Sequence, residues 1–192
     1  MSDWRHRLTE NLEPILSESD PRPKISAYHD MPFAIFVYPP TAEFAVREQV
    51  ALLRTRLRQR GKEVTTISLA QCLNKALEAE GLGNEGLGAA ERESGLEAAI
   101  DTAHEVLSKY QPLDSLVAEQ VPHGADPKRD IVFLTRAGAL FPVYRTSSLL
   151  EQLKGKISVP TVLFYPGTTD GPAGLRFMGV LDAEHNYRPK IF

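Results

Sequence analysis

Cysteine is all but missing from this chain. Cys72 stands alone among 192 residues, so no internal disulfide can form, and its seat inside an apolar helical pattern marks a packed thiol rather than a nucleophile. Such usage suits a reducing compartment. Long apolar runs are also lacking, which excludes a membrane-spanning helix. The opening MSDWRHRLTENLEPIL has neither the apolar core nor the small-residue cleavage site of a signal peptide. These absences predict a cytoplasmic protein without membrane attachment. Basic residues are not in surplus: the formal net charge of −3 argues against general affinity for nucleic acid, whose phosphates reward an excess of Lys and Arg.

Reactive motifs are equally scarce. There is no G-x-S-x-G elbow, S-x-x-K or H-E-x-x-H, and Cys72 has no activating partner nearby in sequence. His6, His29, His104, His123 and His185 fall singly, with no metal-ligand spacing. Asp182, Glu184 and His185 are neighbours, but three adjacent side chains rarely converge on one ion. Gly155-Lys156 is followed by Ile157 and has no glycine five residues before it, so the P-loop is absent and neither nucleotide hydrolysis nor tight nucleotide binding is expected. Gly81, Gly83 and Gly86 spell G-x-G-x-x-G. That motif binds phosphate only after a strand, and this copy follows a helical pattern, so it reads as a connection between helices. No catalytic residue, metal or cofactor is expected.

What is present is enough apolar matter for one core: 42% hydrophobic residues predict a single domain over 1–192. Trp4, Leu8, Leu12 and Ile15 mark a docking helix, with 1–22 as N-terminal helix and linker broken at Asp20-Pro21-Arg22-Pro23. FAIFVY, residues 33–38, is a strand buried on both faces. Thr41 is placed to cap a helix striped by Val46, Val50, Leu53 and Leu57 and ending near Gly61. VTTI (64–67) is the next strand. Ser68 and Gln71 have capping-box spacing for a helix closed by Gly81, and 81–90 is read as a flexible Gly-rich connection. Leu96, Ile100, Ala103, Leu107 and Tyr110 form one helical face. Strand 131–135 follows, then a short helix with Ser148 and Glu151 at capping-box spacing. Strand 160–165, a Gly/Pro-rich loop at 166–174 and a last strand at 175–180 complete the series. The order predicts a three-layer α/β sandwich with a largely parallel sheet, the last strand being the one able to run antiparallel because only a loop precedes it.

Charge is uneven. Arg47, Arg54, Arg56, Arg58, Arg60 and Lys62 face Glu48 alone in their stretch, whereas residues 78–105 are acidic except for Arg92. Two solvated faces that partly complement each other account for this, and a nucleic-acid contact through Arg47, Arg54 and Arg58 is the alternative. Arg136, Arg145 and the 166–174 loop belong to the carboxyl end of the sheet, where ligands usually bind. Either those arginines pair with acids and helix ends, or they hold a ligand.

FLTRAGALFPVYRTSSLLEQL (133–153), PTVLFYPGTTDGPAGLRFMGVLDAEHNYRPKIF (160–192) and MPFAIFVY (31–38) together resemble the BrxB family. The likeness spans nearly the whole chain, is most specific in the last two dozen residues and is weak over 78–125. It implies a cytoplasmic component of a BREX system, a bacterial gene cluster that resists phage and methylates host DNA, working beside PglZ, PglX and BrxC. It carries no catalytic motif. The combined expectation is a non-enzymatic adaptor associating with PglZ through Arg136, Phe141, Tyr144, Arg145, Tyr165 and Arg176, since Arg and aromatics dominate interface hot spots. The other readings are a nucleotide or small-molecule binder, with Arg136 and Arg145 on phosphate, and a DNA-contacting subunit.

Overall fold

The strand FAIFVY supplies the two-sided centre of the molecule. In a computed structural model that describes residues 3–26, 28, 30–171, 174–185 and 187–192, it forms β1 (Phe33–Tyr38), with every residue buried. Successive side chains alternate across a sheet, so Phe33, Ile35 and Val37 enter one core and Ala34, Phe36 and Tyr38 the other. Of the residues named above, His29, Pro172 and Ala173 lie outside the described set.

Around it lie β2 (Glu63–Ser68), β3 (Asp130–Thr135), β4 (Thr161–Asp170) and β6 (Lys190–Ile191), in the order β2-β3-β4-β1-β6, with β5 (Gly174–Phe177) paired to β4 outside that row. The pairings within the row are parallel, and only β4 with β5 is antiparallel. Helices cover both faces, as a sheet of buried parallel strands requires. This is the expected three-layer α/β fold, and the strand expected at 175–180 is antiparallel but shorter, ending at Phe177 where the chain turns.

One face carries the basic helix Glu43–Gln59, whose Val46, Val50, Leu53 and Leu57 are buried. Beside it lies an N-terminal helix, α over Asp3–His6, π over Arg7–Leu12 and α again over Glu13–Leu16. Trp4, Leu8, Leu12 and Leu16 join the same cluster, each such side chain contributing about 1.5–3 kcal/mol. The apolar stripe of the expected docking helix thus docks within this core. The other face carries Leu69–Ala79, Leu96–Glu105 with its π continuation Val106–Tyr110, and Thr146–Leu153.

Several local expectations are corrected. Thr41 does not cap the basic helix: a 3-10 turn, Pro40–Ala42, precedes it and no side-chain cap bond forms. Ser68 does cap its helix, accepting from the Gln71 backbone N–H at 3.3 Å. The Thr146–Leu153 helix begins ahead of Ser148, with Arg145 at the cap position. The stretch 81–90 is helical from Asn84, within Asn84–Ser94; Leu82 and Leu87 pack on the core, which favours helix over open connection. Leu96 and Tyr110 fall off the buried face and are 62% and 59% exposed.

The opened-out loop at 166–174 is also corrected. β4 runs through Pro166 and Gly167 to Asp170 and folds back on β5 as a hairpin. Pro166 has no N–H to donate to the ladder, but its carbonyl still accepts from Met178 N–H at 2.9 Å. Gly167 is required for contact: a Cβ would collide with the Arg176 carbonyl oxygen and the Tyr165 ring. β6 was not expected, because two residues after a proline show no alternation. Among the described residues no helix is long and apolar enough to cross a membrane.

Candidate functional site

The carboxyl end of the parallel strands gathers the singled-out arginines into two groups. The connection leaving β1 is the basic helix on one face, whereas those leaving β3 and β4 pack on the opposite face. Neighbouring strands whose connections diverge in this way leave a crevice at their carboxyl ends.

The first group lies on the hairpin side. Arg145 is 65% exposed and ion-paired to Glu184, and Glu184 bridges to Leu175 of β5 through its backbone. Arg176, on the same strand, reaches Asp170 across the hairpin at 3.4 Å. Phe141 is half-buried with its ring 5.9 Å from that of Phe177, edge to face. Val180, beyond β5, is 73% exposed.

Two of the expected surface aromatics are not at the surface. Tyr144 and Tyr165 are only 3% and 1% exposed. Tyr165 shares the inward side of β4 with Leu163, its ring 5.3 Å from Phe177 and 6.0 Å from Tyr187; burial above all pushes its phenol well above the usual range. Tyr144 donates its hydroxyl to Gln152 Oε1 at 2.8 Å, and burial likewise raises its pKa. Both are core residues whose hydroxyls find partners, Tyr144 in Gln152 at the helix surface and Tyr165 in buried Tyr187.

The second group joins Arg136, expected with Arg145, to Arg47 and Arg54, expected on a DNA-binding helix. They border a cavity of about 240 Å³ between the basic helix and the ends of β1, β3 and β4, floored by Tyr38, Val46, Val50 and Phe164. A second cavity, of about 270 Å³, adjoins it, sharing Glu43, Arg47 and Arg136 and adding Pro166 and Met178. Glu43 is committed at both oxygens: one takes Arg47 Nε at 2.8 Å, the other the Tyr38 hydroxyl. Burial, then that carboxylate, drives the Tyr38 phenol far upward. Arg136 stands at φ 58°, ψ 37°, a left-handed conformation that a bulky side chain adopts at a cost of about 1–2 kcal/mol. The signal for this group was the seven-residue spacing of Arg47 and Arg54, two turns on one helix face. Its meeting with Arg136 had no sequence signal.

The rest of the basic stretch is engaged within the molecule. Arg56 forks onto buried Glu13, Arg60 reaches Ser17 Oγ at 2.7 Å, and Lys62 is buried on the carbonyls of Glu18, Ser19 and Lys128. Arg58 makes a 3.9 Å pair with Glu63. The acidic 78–105 segment lies against the other face of the sheet, so the expected complement of basic and acidic faces is corrected: the basic helix finds its acid in Glu13. Cys72 is buried, its thiol pushed up by that burial. No group of three or more His, Cys, Asp or Glu able to hold a metal occurs among the described residues.

Comparison with known proteins decides the family. The family model described as BREX protein BrxB matches residues 65–191. The chain belongs to the BrxB family. A curated relative named BREX protein BrxB, from Bacillus cereus, is 28% identical over 187 residues, covering 95% of this chain and 95% of its own. No solved structure matches. The matched region holds β3, β4, the hairpin and both of the Arg136 and Arg145 segments. The basic helix lies before it, within the span aligned to the Bacillus cereus relative only.

Proposed function

We propose that this BrxB family member is a non-enzymatic, cytoplasmic component of a BREX phage-defence system, an adaptor that binds PglZ and supports phage exclusion, host DNA methylation or both. PglX and BrxC are the further candidates for its assembly. Family membership carries the reading, since the match to a BREX protein extends over 95% of the chain. The hairpin side offers a suitable docking surface: Arg145 and Arg176 present charge, while the Phe141 edge and exposed Val180 offer apolar contact. Charge-assisted bonds beside a water-excluding apolar patch are what concentrates binding energy in a few residues.

The test is association of purified protein with purified PglZ, followed by pull-down from cells expressing the whole cluster. Saturable binding to PglZ is expected. Absence of binding in every order of addition would remove PglZ as the partner.

A further inference from the structure

The crevice at Arg47, Arg54 and Arg136 lies on the face covered by the basic helix, and only its adjoining cavity reaches the hairpin, at Pro166 and Met178. We propose that it binds a small organic phosphate of the nucleoside monophosphate class, its phosphate on Arg54 and Arg136 and its ring system on the apolar floor of Tyr38, Val50 and Phe164.

Three observations converge. Arg54 and Arg136 both border the cavity, and neither guanidinium has an ion-pair or hydrogen-bond partner among the described residues. Arg47 beside them is fixed by Glu43, whose carboxylate is already occupied by Arg47 and Tyr38. The site thus offers two free guanidinium forks, the planar donor arrangement that matches phosphate oxygens. Second, Arg136 is held in a left-handed backbone conformation, at a position where glycine or asparagine would avoid the strain. A strained residue at the mouth of a cavity points to a use for its side chain. Third, size and chemistry limit the occupant. The cavity of about 240 Å³ and the adjoining one of about 270 Å³, which share Arg47 and Arg136, together reach the lower part of the roughly 300–1,000 Å³ range of small-ligand pockets, the space of a single nucleotide rather than a dinucleotide. No glycine-rich turn follows β1 or β3, where Pro39-Pro40 and Arg136-Ala137 stand instead, so a polyphosphate would lack an amide cradle. One phosphate on two arginines with one ring system beneath suits the space.

Calorimetric titration with adenosine 5′-monophosphate tests this, with adenosine and inorganic phosphate as the two halves. The nucleotide is expected to bind saturably and more tightly than either half. Arg54→Gln and Arg136→Gln should each weaken it about tenfold, the scale of one charge-assisted contact. Arg136→Gly should weaken binding and raise the melting temperature together, because it removes the guanidinium and relieves the backbone. Failure of the monophosphate to saturate by about 10 mM, a Kd corresponding to less than ~3 kcal/mol of binding, would overturn the proposal. So would equal binding in wild type and both glutamine variants. If those variants instead lose PglZ while no nucleotide binds, the crevice is a protein-docking surface: this inference falls and the adaptor reading stands. Nucleotide binding without PglZ association does the opposite, supporting the crevice as a phosphate site and removing PglZ as the partner.

Discussion

Arg56 closes both Nε and Nη2 onto the carboxylate of Glu13, at 2.7–3.0 Å, and so ties the basic helix to the N-terminal helix across 43 residues of sequence. Glu13 is 4% exposed. The contact removes Arg56 from the cationic surface of that helix.

Replacing Arg56 by Met should therefore destabilise the fold. Loss of one partner leaves a buried carboxylate uncompensated, and with the Arg56 side chain 34% open to water the cost should be about 2 kcal/mol, below the range for fully buried pairs. Urea melts measure it. Adding Glu13→Gln should recover much of the loss, and a double variant no better than Arg56→Met would show that packing, not charge, is at stake.

Association with PglZ should depend on the hairpin arginines. Arg145→Ala or Arg176→Ala is expected to weaken it by about 2 kcal/mol, or roughly thirtyfold. Thermal melts of the same samples separate lost affinity from lost fold. If binding persists unchanged in both variants, the docking surface lies elsewhere; Trp4, Leu8 and Leu12 are not candidates, being buried in the core.

Isolated protein should show little affinity for DNA at physiological salt. Arg47, Arg56, Arg60 and Lys62 are engaged within the molecule, leaving too few phosphate contacts for a large counterion release. A mobility-shift titration across salt concentrations checks this. Tight, steeply salt-dependent binding lost on Arg54→Gln and Arg58→Gln would restore the nucleic-acid reading.

Gly167→Ala should unfold the hairpin's junction with the sheet. The new methyl group meets a backbone oxygen that cannot move without breaking the β4–β5 ladder, so a cost of about 2 kcal/mol is expected. A denaturation midpoint equal to wild type would contradict the packing described at Arg176.

Cys72 should resist a neutral-pH disulfide reagent in the native state and react fully once the chain is unfolded. Burial both blocks access and raises the thiol pKa, so the thiolate is rarer than in a free cysteine. Rapid native labelling would show that the helix Leu69–Ala79 opens readily.

The central strand, the helix stripes and the parallel sheet were legible because each is a periodic pattern of apolar residues, and period is a local property of sequence. The alternation in FAIFVY assigned its residues to two cores before any partner was known, and Val46, Val50, Leu53 and Leu57 marked a buried helix face. Gly61 and Gly81 ended helices as expected, each at positive φ. The hairpin was missed because Pro166 and Gly167 are turn residues by themselves, and they belong to a strand only through Met178 and Arg176, residues from the returning chain.

By itself, then, the sequence determined the fold class, the two-sided core and, through its last two dozen residues, the family. Tertiary structure alone decided which polar side chains were free. Tyr144 and Tyr165 carry the same chemistry inside or outside, and only the layer above β4 buries them. Arg56 and Arg54 stand two residues apart on one helix; the first faces Glu13 and the second a cavity that Arg136 completes from the end of β3. Ion pairing and desolvation depend on distance in space, and residues far apart in the chain acquire that distance only when the sheet is assembled.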